Sequence, residues 1–128
     1  AADELRQLEY SQRLHRKSRN VLAKPGHSNG MALFHAAIRG GATALGLEKQ
    51  GLTVGARADL MTLDANHVAL AGRDDDHIMD TFVFNAGNAL IDCVWSNGKK
   101  CVSGGRHRDR DRIERRFSAV MHALRSQM

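Results

Sequence analysis

Seven histidines, two cysteines and a run of aspartates are the side chains here that could ligate a metal or move a proton, and their spacing decides what they can do. The histidines are His15, His27, His35, His67, His77, His107 and His122, with no His-x-His pair and no His-Glu-x-x-His helix signature to set two imidazoles on one zinc. His35 and His122 fall in helix-like segments, where a solitary imidazole is more often a packed or surface residue than a ligand. Asp74-Asp75-Asp76-His77, with Asp80 nearby, is the densest group of oxygen ligands. It lacks the alternate spacing and the sharp-turn glycine of a calcium loop, so it reads as a solvated acidic loop. Cys93 and Cys101 are too few for a disulfide framework and lack the partners of a four-ligand zinc site.

Three further patterns fail on context. Gly41 to Gly46 has the glycine spacing of a phosphate loop, but Leu47-Glu48 stand where Lys and Ser/Thr would meet phosphate and magnesium. Ser96-Asn97-Gly98-Lys99 has the spacing of a Ser-x-x-Lys pair, which needs a helix to bring the lysine onto the serine, and it falls on a hairpin turn instead. No Gly-x-Ser-x-Gly elbow occurs. The residues alone therefore assemble no catalytic constellation, and no catalytic, cofactor-binding or metal-binding residue is assigned.

The elements that would position any site follow from patterning. The chain has 128 residues, 42% hydrophobic and 26% charged, the range of one globular domain with an aliphatic core. Four Phe, one Trp and one Tyr are too few for the stacking platforms of a single-strand nucleic-acid binder. No apolar run approaches the roughly 18 residues of a membrane helix, and the charged opening resembles no signal peptide, so a soluble cytoplasmic protein is expected. The net charge of +5 is uneven: residues 1–24 carry +3, residues 25–105 carry −2 and residues 106–128 carry +4. Arginines interleaved with Asp and Glu usually mark a solvated helix face, which makes nucleic acid an unlikely partner.

Leu5, Leu8 and Leu14 among charged residues predict a helix from Asp3 to about Arg19 with a thin apolar stripe. This helix starts two residues into the chain, the pattern of a chain cut inside a larger architecture. Lys24-Pro25-Gly26 predicts a turn. Ser28 or Asn29 then starts a second helix with Met31, Leu33, Phe34, Ala37 and Ile38 on one face, interrupted at Gly40-Gly41 and followed by a short helix that stops at Gly46. From residue 48 strands and turns take over. Ala58–Asp64 reads as a strand covered on both faces, and Thr81–Phe84 as another short strand. Leu90–Ser96 and Lys99–Ser103 flank Asn97-Gly98, the dipeptide of a tight hairpin turn. A two-residue loop there opposes Cys93 to Val102 and Val94 to Cys101, placing the cysteines on opposite faces as small buried hydrophobes with no bridge between them. Ile113, Phe117, Val120 and Leu124, spaced four, three and four, make Asp109–Ser126 an amphipathic helix in need of a surface to dock on.

Gly51 to Asp64, with its Gly-x-x-x-Gly-x-x-Ala-Asp-hydrophobic order, resembles a strand near the C-terminus of amidohydrolase-superfamily enzymes. In that superfamily such a strand follows a helix like Ala36–Gly46 and precedes a hairpin like Val94–His107, and all three occur here in that order. Glu4–Leu14, Leu70–Arg73 and Asp76–Phe84 resemble most the formimidoylglutamate deiminase family within it.

The resemblance implies a mixed α/β segment of a longer enzyme. Residues 1–47 would be the last helices of a (β/α)8 barrel, 48–106 the C-terminal part of a small β-sandwich, and 107–128 a C-terminal helix packing back on the body. In the parent, zinc held by a His-x-His, two later histidines and an aspartate would activate water to deiminate N-formimidoyl-L-glutamate to N-formyl-L-glutamate and ammonia in histidine degradation. This chain would begin just after that aspartate. Asp3 does not fit its spacing, so no metal ligand is carried over and no zinc is expected on this segment. The implied partners are the N-terminal barrel portion of the same enzyme and, for the parent, a second subunit in a homodimer. A small basic module for nucleic acid or another polyanion, using Arg13–Arg19 and Arg106–Arg116, is the alternative.

Overall fold

A computed structural model describes residues 1–127; residue 128, the last of the expected tail segment, lies outside the described residues. Helix α1 spans Ala2–Arg16 with Asp3 and Glu4 in its first turn and Arg13, His15 and Arg16 in its last, the charge order that complements the helix dipole. It ends three residues earlier than the sequence predicts, because Lys17 turns left-handed (φ 50°) and returns its N–H to the Arg13 carbonyl. Helix α2 spans Asn29–Ala44 and is capped by Ser28, whose Oγ accepts the Met31 N–H at 3.0 Å.

Gly40-Gly41 does not interrupt α2. Each glycine weakens a helix by about 1 kcal/mol relative to alanine but keeps its N–H, so the ladder continues through both. The stop falls on Gly46, at φ 64°, as expected.

Thr81–Phe84 is not a strand. Helix α3 spans Asp75–Thr81 and runs on through a wide π turn at Phe82–Ala86 and a 3-10 turn at Gly87–Leu90. Its β-branched and aromatic run is short enough to fit either period. The helical one wins because it puts Ile78, Met79, Phe82, Val83 and Ala86 together in the core.

Four strands form one antiparallel sheet in chain order: β1 Leu60–Leu63, β2 Ile91–Ser96, β3 Lys99–Ser103 and β4 Arg106–His107. β1 is an edge strand, and its exposed Leu60 and Thr62 alternate with half-buried Met61 and Leu63, so it is covered on one face rather than two. The preceding Gly51–Ala56 segment is turns, with Leu52 and Val54 exposed.

Asn97 (φ 48°) and Gly98 (φ 75°) form the β2–β3 turn, and Ser96–Lys99 and Trp95–Lys100 pair as predicted, with the Lys100 ammonium 4.7 Å from the centre of the Trp95 ring. Beyond them the register shifts. Val94 pairs with Val102, leaving Cys101 as the extra residue of a bulge rather than opposite Val94. Cys93 is buried, Cys101 half-buried, and both are free thiols.

The core lies where the helices meet the sheet's first two strands. Ala2, Leu33, Leu70, Phe82, Val83 and Leu90 form its buried centre, with Leu5, Met61, Ile78 and Ile91 packed around it. Val83 and Leu90 are fully buried, each worth about 1.5–3 kcal/mol. Helix α4, Arg110–Arg125, is separate from this core: it has no buried residue, and Ile113, Phe117, Val120, Met121 and Leu124 are all exposed. Within the described residues the tail helix stands off the body. The apolar stripe predicted from its spacing does form along the helix, and among the described residues none of it is buried.

Candidate functional site

The densest polar construction in the molecule joins α1, the connector at residues 17–28, the start of α2 and the end of α3. Its base is Glu9, which is 0% exposed. The carboxylate accepts from Arg13 Nε at 2.8 Å and from the backbone N–H groups of Val21 and Leu22 at 3.1 and 3.2 Å. Three donors replace the water lost on burial, as a buried carboxylate requires. Arg13 in turn lies 5.5 and 5.3 Å from the centres of Tyr10 and Phe84, two rings stacked at 6.0 Å.

Asp80 does for α2 what Glu9 does for the connector. Its Oδ1 accepts from Ser28 Oγ at 2.9 Å and from Gly30 N–H at 2.7 Å, at the positive end of the helix. Gly30 is needed here for contact: a Cβ would sit 2.4 Å from the Met79 carbonyl oxygen. Asn29, buried next to it, donates to Asn20 Oδ1 at 2.7 Å, and its own Oδ1 has no partner among the described residues. Asn20, Ser28, Asn29 and Asp80 line a cavity of about 260 Å³ with Tyr10, Arg13, His27 and Phe84.

A serine hydroxyl donating to a carboxylate is half of a nucleophile–base arrangement. Here Asp80 Oδ1 also takes the Gly30 amide and Ser28 Oγ also takes the Met31 amide, so the pair is committed to capping α2. Chemically, the construction caps α2 and holds the connector, and the Ser28–Asp80 contact within it is committed to that cap.

The residues singled out in the sequence stay apart. His67 Nδ1 accepts the Ala69 N–H at 3.2 Å and His107 Nδ1 accepts the Asp109 N–H at 3.1 Å, so both are caps of short turns. His77 stands 4.0 Å from Asp80 Oδ2. His35 is exposed on α2 and, with Lys24, His27, Met31, Arg39 and Asp76, borders an open groove of about 420 Å³. His122 is exposed on α4. Asp74 precedes α3, while Asp75 and Asp76 open its first turn; all three are exposed, but from Asp75 onward the run is helical rather than the loop expected. Among the described residues no three His, Cys, Asp or Glu side chains come together to hold a metal ion. No described helix is long and apolar enough to cross a membrane.

The two residues that matter most give little sign of themselves in the sequence. Glu9 looks like one more charge on an amphipathic helix; its only local signal is Arg13 four residues on. Asp80 looks like a member of an acidic run, and only the fold brings it to Ser28, 52 positions away.

No family model matches the chain. It is 39% identical over 123 residues to the formimidoylglutamate deiminase of Pseudomonas aeruginosa strain PAO1, covering 95% of this chain and 27% of that protein, in its C-terminal part. A crystal structure of an amidohydrolase from Brucella melitensis matches it with a TM-score of 0.87 and 47% identity, over 96% of this chain and 27% of that one. The chain thus spans about a quarter of the length of the proteins it matches. By sequence it is similar to the C-terminal part of a formimidoylglutamate deiminase, and by fold to part of an amidohydrolase.

Proposed function

We propose that this chain is the structural C-terminal portion of a zinc-dependent hydrolase that converts N-formimidoyl-L-glutamate and water to N-formyl-L-glutamate and ammonia, a step of histidine degradation. The observation that carries the reading is the 39% identity to a formimidoylglutamate deiminase along 95% of this chain. Residues 1–47 would close the parent's barrel, 48–106 would contribute to its small β domain, and 107–128 would form its last helix. A cytoplasmic location goes with this reading.

The described residues offer no ligand set for zinc, so no step of the reaction is routed through them. What these residues do is hold shape. Glu9 locks the connector to α1, and Asp80 with Ser28 locks the start of α2 to α3. The N-terminal portion of the same enzyme is the partner, and exposed Leu8 and Leu14 on α1 supply apolar surface for it.

The test is complementation. Co-expressed with the N-terminal three-quarters of the Pseudomonas relative, this chain should yield a zinc-bearing complex that releases ammonia from N-formimidoyl-L-glutamate. A complex that forms and binds zinc but leaves this substrate intact would keep the structural role and remove the substrate assignment.

The polyanion-binding alternative is disfavoured by the ion pairing of its own arginines. Arg106 pairs with Asp111, Arg108 and Arg112 with Asp109, and Arg110 with Glu114. Four of the six arginines between positions 106 and 116 thus sit beside carboxylates.

A further inference from the structure

We propose that the cavity between α1, the connector, α2 and α3 is a binding site for a small α-amino acid in its zwitterionic form. Asn29 and Asp80 hold its ammonium, and Arg13 holds its carboxylate. The leading observation is Asn29, 6% exposed in the wall of this cavity, whose Oδ1 has no partner among the described residues. A buried acceptor in this state is uncommon, and what it lacks is a donor. The Asn29 Nδ2 is spent on Asn20 at 2.7 Å, so the oxygen is the unmet atom. The χ2 torsion of an asparagine is soft, so Oδ1 can follow a donor placed in the cavity.

Two charged groups in the same wall define that donor and what accompanies it. Asp80 spends Oδ1 on Ser28 and Gly30, the residues on either side of Asn29, while its Oδ2 has His77 at 4.0 Å, beyond hydrogen-bond distance. A charged acceptor beside an amide oxygen suits an ammonium group. Arg13 meets Glu9 through Nε, which leaves the Nη end of its fork for a second carboxylate. An occupant with only a positive charge would be opposed by Arg13, and one with only a negative charge by Asp80. A molecule carrying an ammonium and a carboxylate on one carbon answers both. The rings of Tyr10 and Phe84, stacked at 6.0 Å, give its side chain an apolar wall. At about 260 Å³ the cavity is smaller than the roughly 300–1,000 Å³ of sites for drug-sized ligands, which limits the occupant to a short side chain. Every group named belongs to this chain, and the proposal does not depend on the substrate assignment.

The test is calorimetric titration of the full chain with L-alanine, and with acetate and methylammonium as its two halves. L-alanine should bind saturably, and each half at least about tenfold more weakly, through loss of one charge-assisted contact. Asn29→Leu should weaken L-alanine at least about tenfold with the far-UV spectrum unchanged. Asn29→Asp, which keeps an acceptor at the start of α2, should retain binding and stays readable where the leucine variant does not fold. No saturable L-alanine binding overturns the proposal, since water then suffices for Asn29. Acetate binding as tightly as L-alanine overturns it too, because the site is then one for anions alone. So does L-alanine binding that Asn29→Leu leaves unchanged, which puts the amino acid elsewhere. Displacement of L-alanine by a co-expressed N-terminal portion also overturns it, because the cavity then belongs to that portion. None of these outcomes bears on ammonia release from N-formimidoyl-L-glutamate.

Discussion

The α1–α2–α3 junction and helix α4 are both built from amphipathic helices, yet only the first is finished within the chain. At the junction, Leu33, Phe82 and Val83 are buried, and the buried carboxylate of Glu9 and the half-buried one of Asp80 both accept from backbone N–H groups. On α4 the apolar side is as regular as any in the sequence, and it touches no core. Periodicity specifies that a face will form; whether it is covered depends on what the fold or a partner brings to it.

That contrast can be broken by substitution. Leu90→Ala, at a fully buried position, should lower unfolding free energy by about 2–5 kcal/mol, read as a fall in the urea midpoint. Gly30→Ala should cost about 1–3 kcal/mol, because α2 must move away from the Met79 carbonyl and loosen the Asp80 cap. Glu9→Ala should cost about 1–3 kcal/mol by leaving the Val21 and Leu22 amides without their acceptor, and protease should then cut first in the connector at residues 17–28. Asp80→Ala should cost about 0.5–2 kcal/mol, the range of a lost helix cap. Phe117→Ser should leave the body's unfolding free energy within about 0.5 kcal/mol of the parent value. A cost at position 117 as large as at position 90 would mean the two regions are not different in kind.

Much of the fold was legible in local signals. The Ser28 cap, the Gly46 stop, the Asn97-Gly98 turn and the tail helix each rest on residues adjacent in sequence. The failures share a cause in tertiary context. Thr81–Phe84 carries strand-forming residues but is helical because the core demands Phe82 and Val83 together. The two-residue turn predicted the first two cross-strand pairs and could not reveal the bulge at Cys101. The family resemblance was carried by strings such as Gly51 to Asp64, and it reached further than any candidate site residue. The polar junction was not legible, since Asp80 and Ser28 meet only after the chain has folded.

The central claim is that these residues support chemistry supplied by another part of an amidohydrolase. It is tested most directly by incubating the purified 128-residue chain with zinc and N-formimidoyl-L-glutamate, measuring tightly bound metal and released ammonia on the same sample. The account predicts no stoichiometric tight zinc and no ammonia above the uncatalysed rate. One tightly held zinc per chain with turnover would contradict it, and would place the catalytic groups among residues to which only a scaffolding role is assigned.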